Sequence, residues 1–176
     1  TDSPSRWLGA TSSELQELAQ VSAHADERLT TGLKELDRVL GGGLVPGSLT
    51  LMAGEPGIGK STLLLQVAQL IGQQAPPVVY VSGEESAQQV KLRGQRLGLP
   101  GRGLFFLAET DVDAVLQRLE EVKPRLTIVD SVQTLYTQEA PGGAGSVSQV
   151  RECARRLMVW CKARSVPVLL AGHVTK

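Results

Sequence analysis

Cysteine, histidine and aromatic residues are scarce in this 176-residue chain: two Cys, two His, and Phe, Trp and Tyr together at 3%. Cys153 and Cys161 have a spacing that fits neither a C-x-x-C metal knuckle nor a disulfide framework, so they read as two small side chains on one helix. So few aromatic rings leave little material for a surface that stacks nucleic-acid bases. Net charge is also missing, because 18 basic residues balance 18 acidic ones. Any affinity for nucleic acid or membrane must then come from a local patch. No apolar run approaches the ~18 residues that span a bilayer, and residues 1–28 lack the apolar stretch of a signal peptide. Together these absences fit a protein of the reducing cytoplasm that makes no membrane contact.

What is present is ordinary globular composition, 41% hydrophobic and 20% charged, enough for one domain with a continuous core. Residues 1–28 are rich in Ser, Ala, Glu and Gln with a weak apolar pattern at Leu15, Leu18 and Val21, and read as a linker or packing arm. The core is expected over 29–176. Leu33, Leu36, Val39 and Leu40 mark one face of a short helix, ended by Gly41-Gly42-Gly43. Beyond it, short apolar runs at Leu49–Ala53, Val78–Ser82, Leu104–Ala108, Leu126–Asp130 and Val166–Gly172 alternate with helical periodicity at Lys60–Ile71, Glu85–Leu97, Asp111–Val122 and Val147–Arg164. That alternation predicts right-handed crossovers and a mostly parallel sheet between two helix layers, with strand order left open. Lys176 directly follows an apolar run with no closing helix, which reads as a piece of a longer protein whose core is truncated on its C-terminal side.

Gly54-Glu55-Pro56-Gly57-Ile58-Gly59-Lys60-Ser61 satisfies G-x-x-x-x-G-K-[ST] between a strand and a helix that continues through Thr62. Glycines let backbone N–H groups approach phosphate oxygens, the helix N-terminus adds positive potential, Lys60 is suited to the β- and γ-phosphates and Ser61 to magnesium. Asp130 ends an apolar strand, the form of the second magnesium-side residue in P-loop ATPases, although a turn or helix cap would look the same. Glu84 and Glu85 lie just past the strand at Val78–Ser82, on the edge where open α/β sheets bind ligands. Either can orient and deprotonate a water, or both can be first-turn residues favoured by the helix dipole. Glu84, nearer the strand, is preferred.

Residues 137–146 look too flexible for core and lead into a helix bearing Arg151, Arg155 and Arg156. That arrangement either grips a nucleic-acid backbone or is a solvated loop and helix face. His173 follows the last apolar run and either contacts the γ-phosphate or packs structurally.

Taken together, GLKELDRVLGGGLVPGS ending at Ser48, GEPGIGKSTLLLQ at Gly54–Gln66, YVSGEESAQQVKLR at Tyr80–Arg93, LTIVDSVQTLY at Leu126–Tyr136, GSVSQVREC at Gly145–Cys153 and GHVTK at Gly172–Lys176 resemble the ATPase domain of the bacterial RadA/Sms family of DNA repair and recombination proteins. The resemblance implies a RecA-like core and ATP hydrolysis with Mg²⁺, coupled to single-stranded and branched DNA through a helicase-like activity. It also implies a homo-oligomeric, hexameric ring and admits a recombinase as partner. By position it implies Glu84 as catalytic base, Asp130 as magnesium aspartate and His173 as polar sensor, with 137–146 facing DNA. The family's four-cysteine zinc finger, its KNRFG segment and its Lon-protease-like domain are absent from this sequence, so zinc is not expected here. A KaiC-like regulatory ATPase without DNA work is the alternative, and a small-molecule kinase is disfavoured because no Arg-rich lid is evident.

Overall fold

The computed structural model describes residues 15–21 and 27–174. Five strands, β1 (Leu49–Gly54), β2 (Val78–Ser82), β3 (Leu104–Ala108), β4 (Leu126–Asp130) and β5 (Val168–His173), form one sheet in the order β1-β5-β4-β2-β3. Every neighbouring pair is parallel. Between the strands run α1 (Lys34–Val39), which precedes β1, then α2 (Lys60–Gln74), α3 (Ala87–Arg96), α4 (Val112–Val122) and α5 (Val147–Arg164).

Strict alternation along the central strands builds the layers. Val78 and Tyr80 of β2, Leu126 and Ile128 of β4, and Leu169 and Ala171 of β5 face a core shared with α1 and α2. Val79 and Val81, Val129, and Val168 and Leu170 face the opposite core, shared with α4 and α5. Covered on both faces, β2 and β4 are buried along their whole length, which is why they read as unbroken apolar runs. The expected three-layer RecA-like P-loop architecture is the one observed.

Local chemistry adjusts the boundaries. The last strand starts at Val168 rather than Val166 because Pro167 has no N–H to give a ladder; its carbonyl instead accepts from Thr127. Helix α3 starts after Glu85 because Ser86 caps it: Ser86 Oγ accepts from the Gln89 N–H while the Gln89 side chain accepts from the Ser86 N–H, a capping box. Leu36 of α1 and its flanking caps Leu33 and Leu40 pack into the core, but Val39, off that stripe, is 79% exposed. Cys153 and Cys161 both lie on the buried stripe of α5 as free thiols, with burial pushing Cys153 up to about 11.

In the N-terminal region, Leu15, Leu18 and Val21 are exposed around a short 3-10 turn at Leu18–Gln20, so these three do not act as a packing face. Residues 1–14 and 22–26 of the expected arm lie outside the described residues. From Arg28 onward the chain is tied down: Arg28 Nη1 donates to the Leu40 carbonyl at 2.9 Å, and Leu29 and Leu44 exchange both backbone hydrogen bonds. Among the described residues, no helix is long and apolar enough to cross a membrane.

The segment 137–146 departs most from expectation. Gln149, buried on α5, accepts from the Thr137 N–H at 2.8 Å, and its amide nitrogen donates towards the carbonyls of Thr137, Ala140 and Gly142 at 2.9, 2.8 and 3.1 Å. Arg156, 7% exposed, is ion-paired with Asp113, Glu139 and Glu152. The front of the loop is therefore stapled rather than mobile. Nor do the three arginines form a common cationic face: Arg156 is enclosed by carboxylates, Arg155 pairs with Glu152, and Arg151 alone of the three has no recorded partner among the described residues.

Candidate functional site

Parallel strands deliver their C-terminal ends to one edge, and the register shows how level those ends are. Gly54 of β1 pairs with His173 of β5, and Ser82 of β2 pairs with Asp130 of β4. The loop after Gly54, the turn after Ser82, Asp130 and His173 thus share one rim of the sheet. His173 is the last strand residue rather than one beyond it.

The loop between β1 and α2 turns through Gly57 and Gly59, at φ of 80° and 100°, which only glycine adopts without strain. A Cβ at either position would meet nothing within 4 Å, so the backbone there faces open space. Lys60, buried, folds its ammonium onto the loop's own carbonyls, donating to Gly54 at 2.6 Å and Glu55 at 2.8 Å. Gly57, Gly59, Lys60, Ser61, Thr62, Arg93 and His173 line a cavity of about 280 Å³.

Ser61 and Asp130, 69 residues apart in sequence, meet directly: Ser61 Oγ donates to Asp130 Oδ2 at 2.6 Å. The buried Tyr80 hydroxyl donates to the same oxygen at 2.9 Å. Burial, reinforced by the Asp130 charge, pushes the Tyr80 phenol well above its ordinary value, so it remains a donor at any physiological pH. The Asp130–Ser131 peptide bond is cis. His173 is placed by Gln133, whose amide accepts from the His173 N–H at 3.3 Å and donates to its carbonyl at 3.2 Å. The His173 Nδ1 is buried and has no hydrogen-bond partner.

The two glutamates are not equivalent. Glu85 is chelated by Arg93, Nη1 to Oε2 at 2.8 Å and Nη2 to Oε1 at 2.9 Å, and its N–H donates to Ser82 Oγ. Glu84 is 60% exposed, and its recorded ion-pair approach is to His173 Nε2, at 3.9 Å, beyond hydrogen-bond length. Neither belongs to the first turn of α3, which begins at Ala87. Glu84 and Glu85 line a second cavity of about 310 Å³ with Gly83 and the end of β3. Gly83 is required by space: a Cβ there would collide with the Thr134 side chain.

The residues present fit a magnesium nucleotide. Open backbone at Gly57 and Gly59, a lysine ammonium and a helix N-terminus suit phosphates, while a hydroxyl and a carboxylate are the hard oxygen donors magnesium prefers. Among the described residues, no group of three or more His, Cys, Asp or Glu could hold a metal, so such an ion would draw the rest of its shell from phosphate and water. Tyr80 and Arg93 were missed by sequence reasoning. The S-x-x-Q capping signature at Ser86–Gln89 could have pointed to Arg93, because it sets the helix phase that turns Arg93 back toward Glu85.

A family model described as "AAA domain" matches residues 11–176. Among curated proteins, the chain is 48% identical to the DNA repair protein RadA of Halalkalibacterium halodurans over 96% of its own length and 37% of the relative's. It is 51% identical to the DNA repair protein RadA of Mycobacterium tuberculosis over 90% of its length and 34% of the relative's. The corresponding Haemophilus influenzae protein is 45% identical, over 98% of this chain and 37% of the relative. The chain thus spans little more than a third of the length of these relatives.

Proposed function

Because the chain belongs to the AAA domain family and is an ATPase domain, we propose that, within a longer protein, it couples ATP hydrolysis to work on single-stranded and branched DNA. The observation that carries the reading is the hydrogen bond of Ser61 to Asp130 at one rim of the sheet, beside a cavity lined by Lys60, Ser61 and His173. The DNA half of the reading draws on the relatives, which are DNA repair proteins. Those same relatives disfavour a regulatory switch without DNA work.

In this reading the backbone from Gly54 to Thr62 cradles the phosphates, and Lys60 leaves its carbonyl partners for the β- and γ-phosphate oxygens. Magnesium, when bound through Ser61 and Asp130, supplies charge neutralisation for the phosphates. Tyr80, by donating to Asp130, holds that carboxylate toward Ser61. Hydrolysis joins a water oxygen to the γ-phosphorus and breaks its bond to the bridging oxygen, which stays with ADP. Glu84 orients that water and takes its proton, a role its exposure and lack of a chelating cation suit better than those of Glu85. His173, at the γ side, links the site to neighbouring loops as a sensor. The complete site forms between subunits of a homo-oligomeric ring, with a basic group supplied in trans, so the isolated chain hydrolyses ATP slowly.

The test is the ATPase rate of the intact protein with no DNA, with single-stranded DNA and with forked DNA. Stimulation by DNA is the expected result. A rate that no DNA alters refutes the coupling and returns the regulatory switch.

A further inference from the structure

Arg93 closes the stretch Tyr80–Arg93 that carries part of the family likeness but received no role there, yet it lines the same cavity as Lys60 and Ser61. It projects from α3 with its side chain 24% exposed and grips both oxygens of Glu85. Its Nε is buried without a hydrogen-bond partner. A guanidinium carries five N–H donors in a fixed fork. The bidentate bond to Glu85 uses one on each terminal nitrogen, and a buried donor left unpaired is unfavourable. Two cations therefore face one cavity, each resting on an internal acceptor: Lys60 on loop carbonyls and Arg93 on Glu85. A ligand with several negative oxygens is what such a pair can take up together.

We propose that Arg93 is a ligand of the nucleotide's terminal phosphate, supplied by the same chain, and that Glu85 is the counter-ion that holds it when that phosphate is missing. This inference rests on the ATP reading above. Lys60, at the start of α2, and Arg93, near the end of α3, reach the cavity from different elements. With the loop holding the inner phosphates, a guanidinium bound to the terminal one senses how many phosphates are present rather than whether a nucleotide is bound. Glu85 directly follows Glu84, and its N–H is fixed to Ser82 Oγ at 3.1 Å. Exchange of Arg93 from Glu85 to phosphate therefore changes the charge beside the turn that carries Glu84, and connects the phosphate count to α3.

The experiment measures, on the intact protein with magnesium, equilibrium dissociation constants of a non-hydrolysable ATP analogue and of ADP by fluorescence titration. Arg93→Gln is expected to weaken the analogue by about tenfold or more and ADP by less than about twofold, roughly a 1.4 kcal/mol loss of discrimination for each decade. Glu85→Gln, which breaks the same ion pair but leaves the guanidinium, is expected to keep the analogue's affinity or tighten it. Equal weakening of both ligands by Arg93→Gln overturns the proposal, as does a loss in Glu85→Gln that matches the arginine variant, because then the pair only braces α3. If Arg93→Gln does not fold, Arg93→Lys is read instead: it keeps the charge, loses the fork, and is expected to lose part of the discrimination; full retention overturns the proposal. Failure of the wild-type protein to bind either nucleotide is a separate outcome that removes the ATP reading itself.

Discussion

Replacing Gln149 by Leu removes the staple from residues 137–142 while keeping an apolar side chain of similar size on α5. The Thr137 N–H and carbonyl are both buried and both bonded to this amide. Stranding each costs about 1–3 kcal/mol. Gly142 is exposed and Ala140 half-buried, so those carbonyls recover water, and removing the buried amide itself relieves part of the loss. A net destabilisation of about 2–3 kcal/mol follows, which for a domain of this size lowers the melting temperature by about 4–12 °C. Circular dichroism melting measures the shift, and limited proteolysis should show faster cleavage within 137–146. A variant that melts within about 2 °C of wild type and is cut no faster would refute the stapled loop and restore a mobile one.

Glu84→Gln should keep nucleotide binding and slow hydrolysis by about 10²-fold or more, whereas Glu85→Gln should slow it less; the reverse order in steady-state rates transfers the base to Glu85. Glu152, held down to about 2 from 4.5 by hydrogen bonds from Arg155 and then Arg156, contributes stability that is fully present above pH 4.5 and lost as pH falls toward 2. Melting temperature in that window should therefore fall less steeply in Glu152→Gln than in wild type, and identical slopes would count against the arginine cluster. His173→Ala in the intact protein should leave ATP affinity within roughly threefold, about 0.65 kcal/mol, yet uncouple hydrolysis from DNA. Undiminished DNA stimulation would make His173 a packing residue.

The fold was legible because covered strands must be apolar on both faces, a signal that survives in a single sequence. Boundaries slipped where side-chain chemistry decides them, at Pro167 and at the Ser86 cap. The likeness to RadA/Sms read from the motifs is borne out by relatives 45 to 51% identical. Composition misled at 137–146, because Gly, Pro and Ser announce flexibility while the bonds that remove it come from Gln149 and Arg156, farther along the chain. Spacing could not reveal that Arg156 would meet Asp113 from another helix, nor that Tyr80, read only as part of an apolar strand, would present its hydroxyl to Asp130. In sequence only nearness to the strand set Glu84 above Glu85; the structure adds a physical difference, the Arg93 fork on Glu85.

The central claim, that the loop from Gly54 to Ser61 holds the phosphates of ATP through Lys60, is tested most directly by calorimetric titration of magnesium-ATP into the intact protein and into its Lys60→Ala variant, with melting curves to verify folding. The wild type should bind one nucleotide per chain, and the variant, equally folded, should lose at least about tenfold in affinity, ~1.4 kcal/mol, together with hydrolysis. Wild-type affinity and turnover in Lys60→Ala would contradict the account.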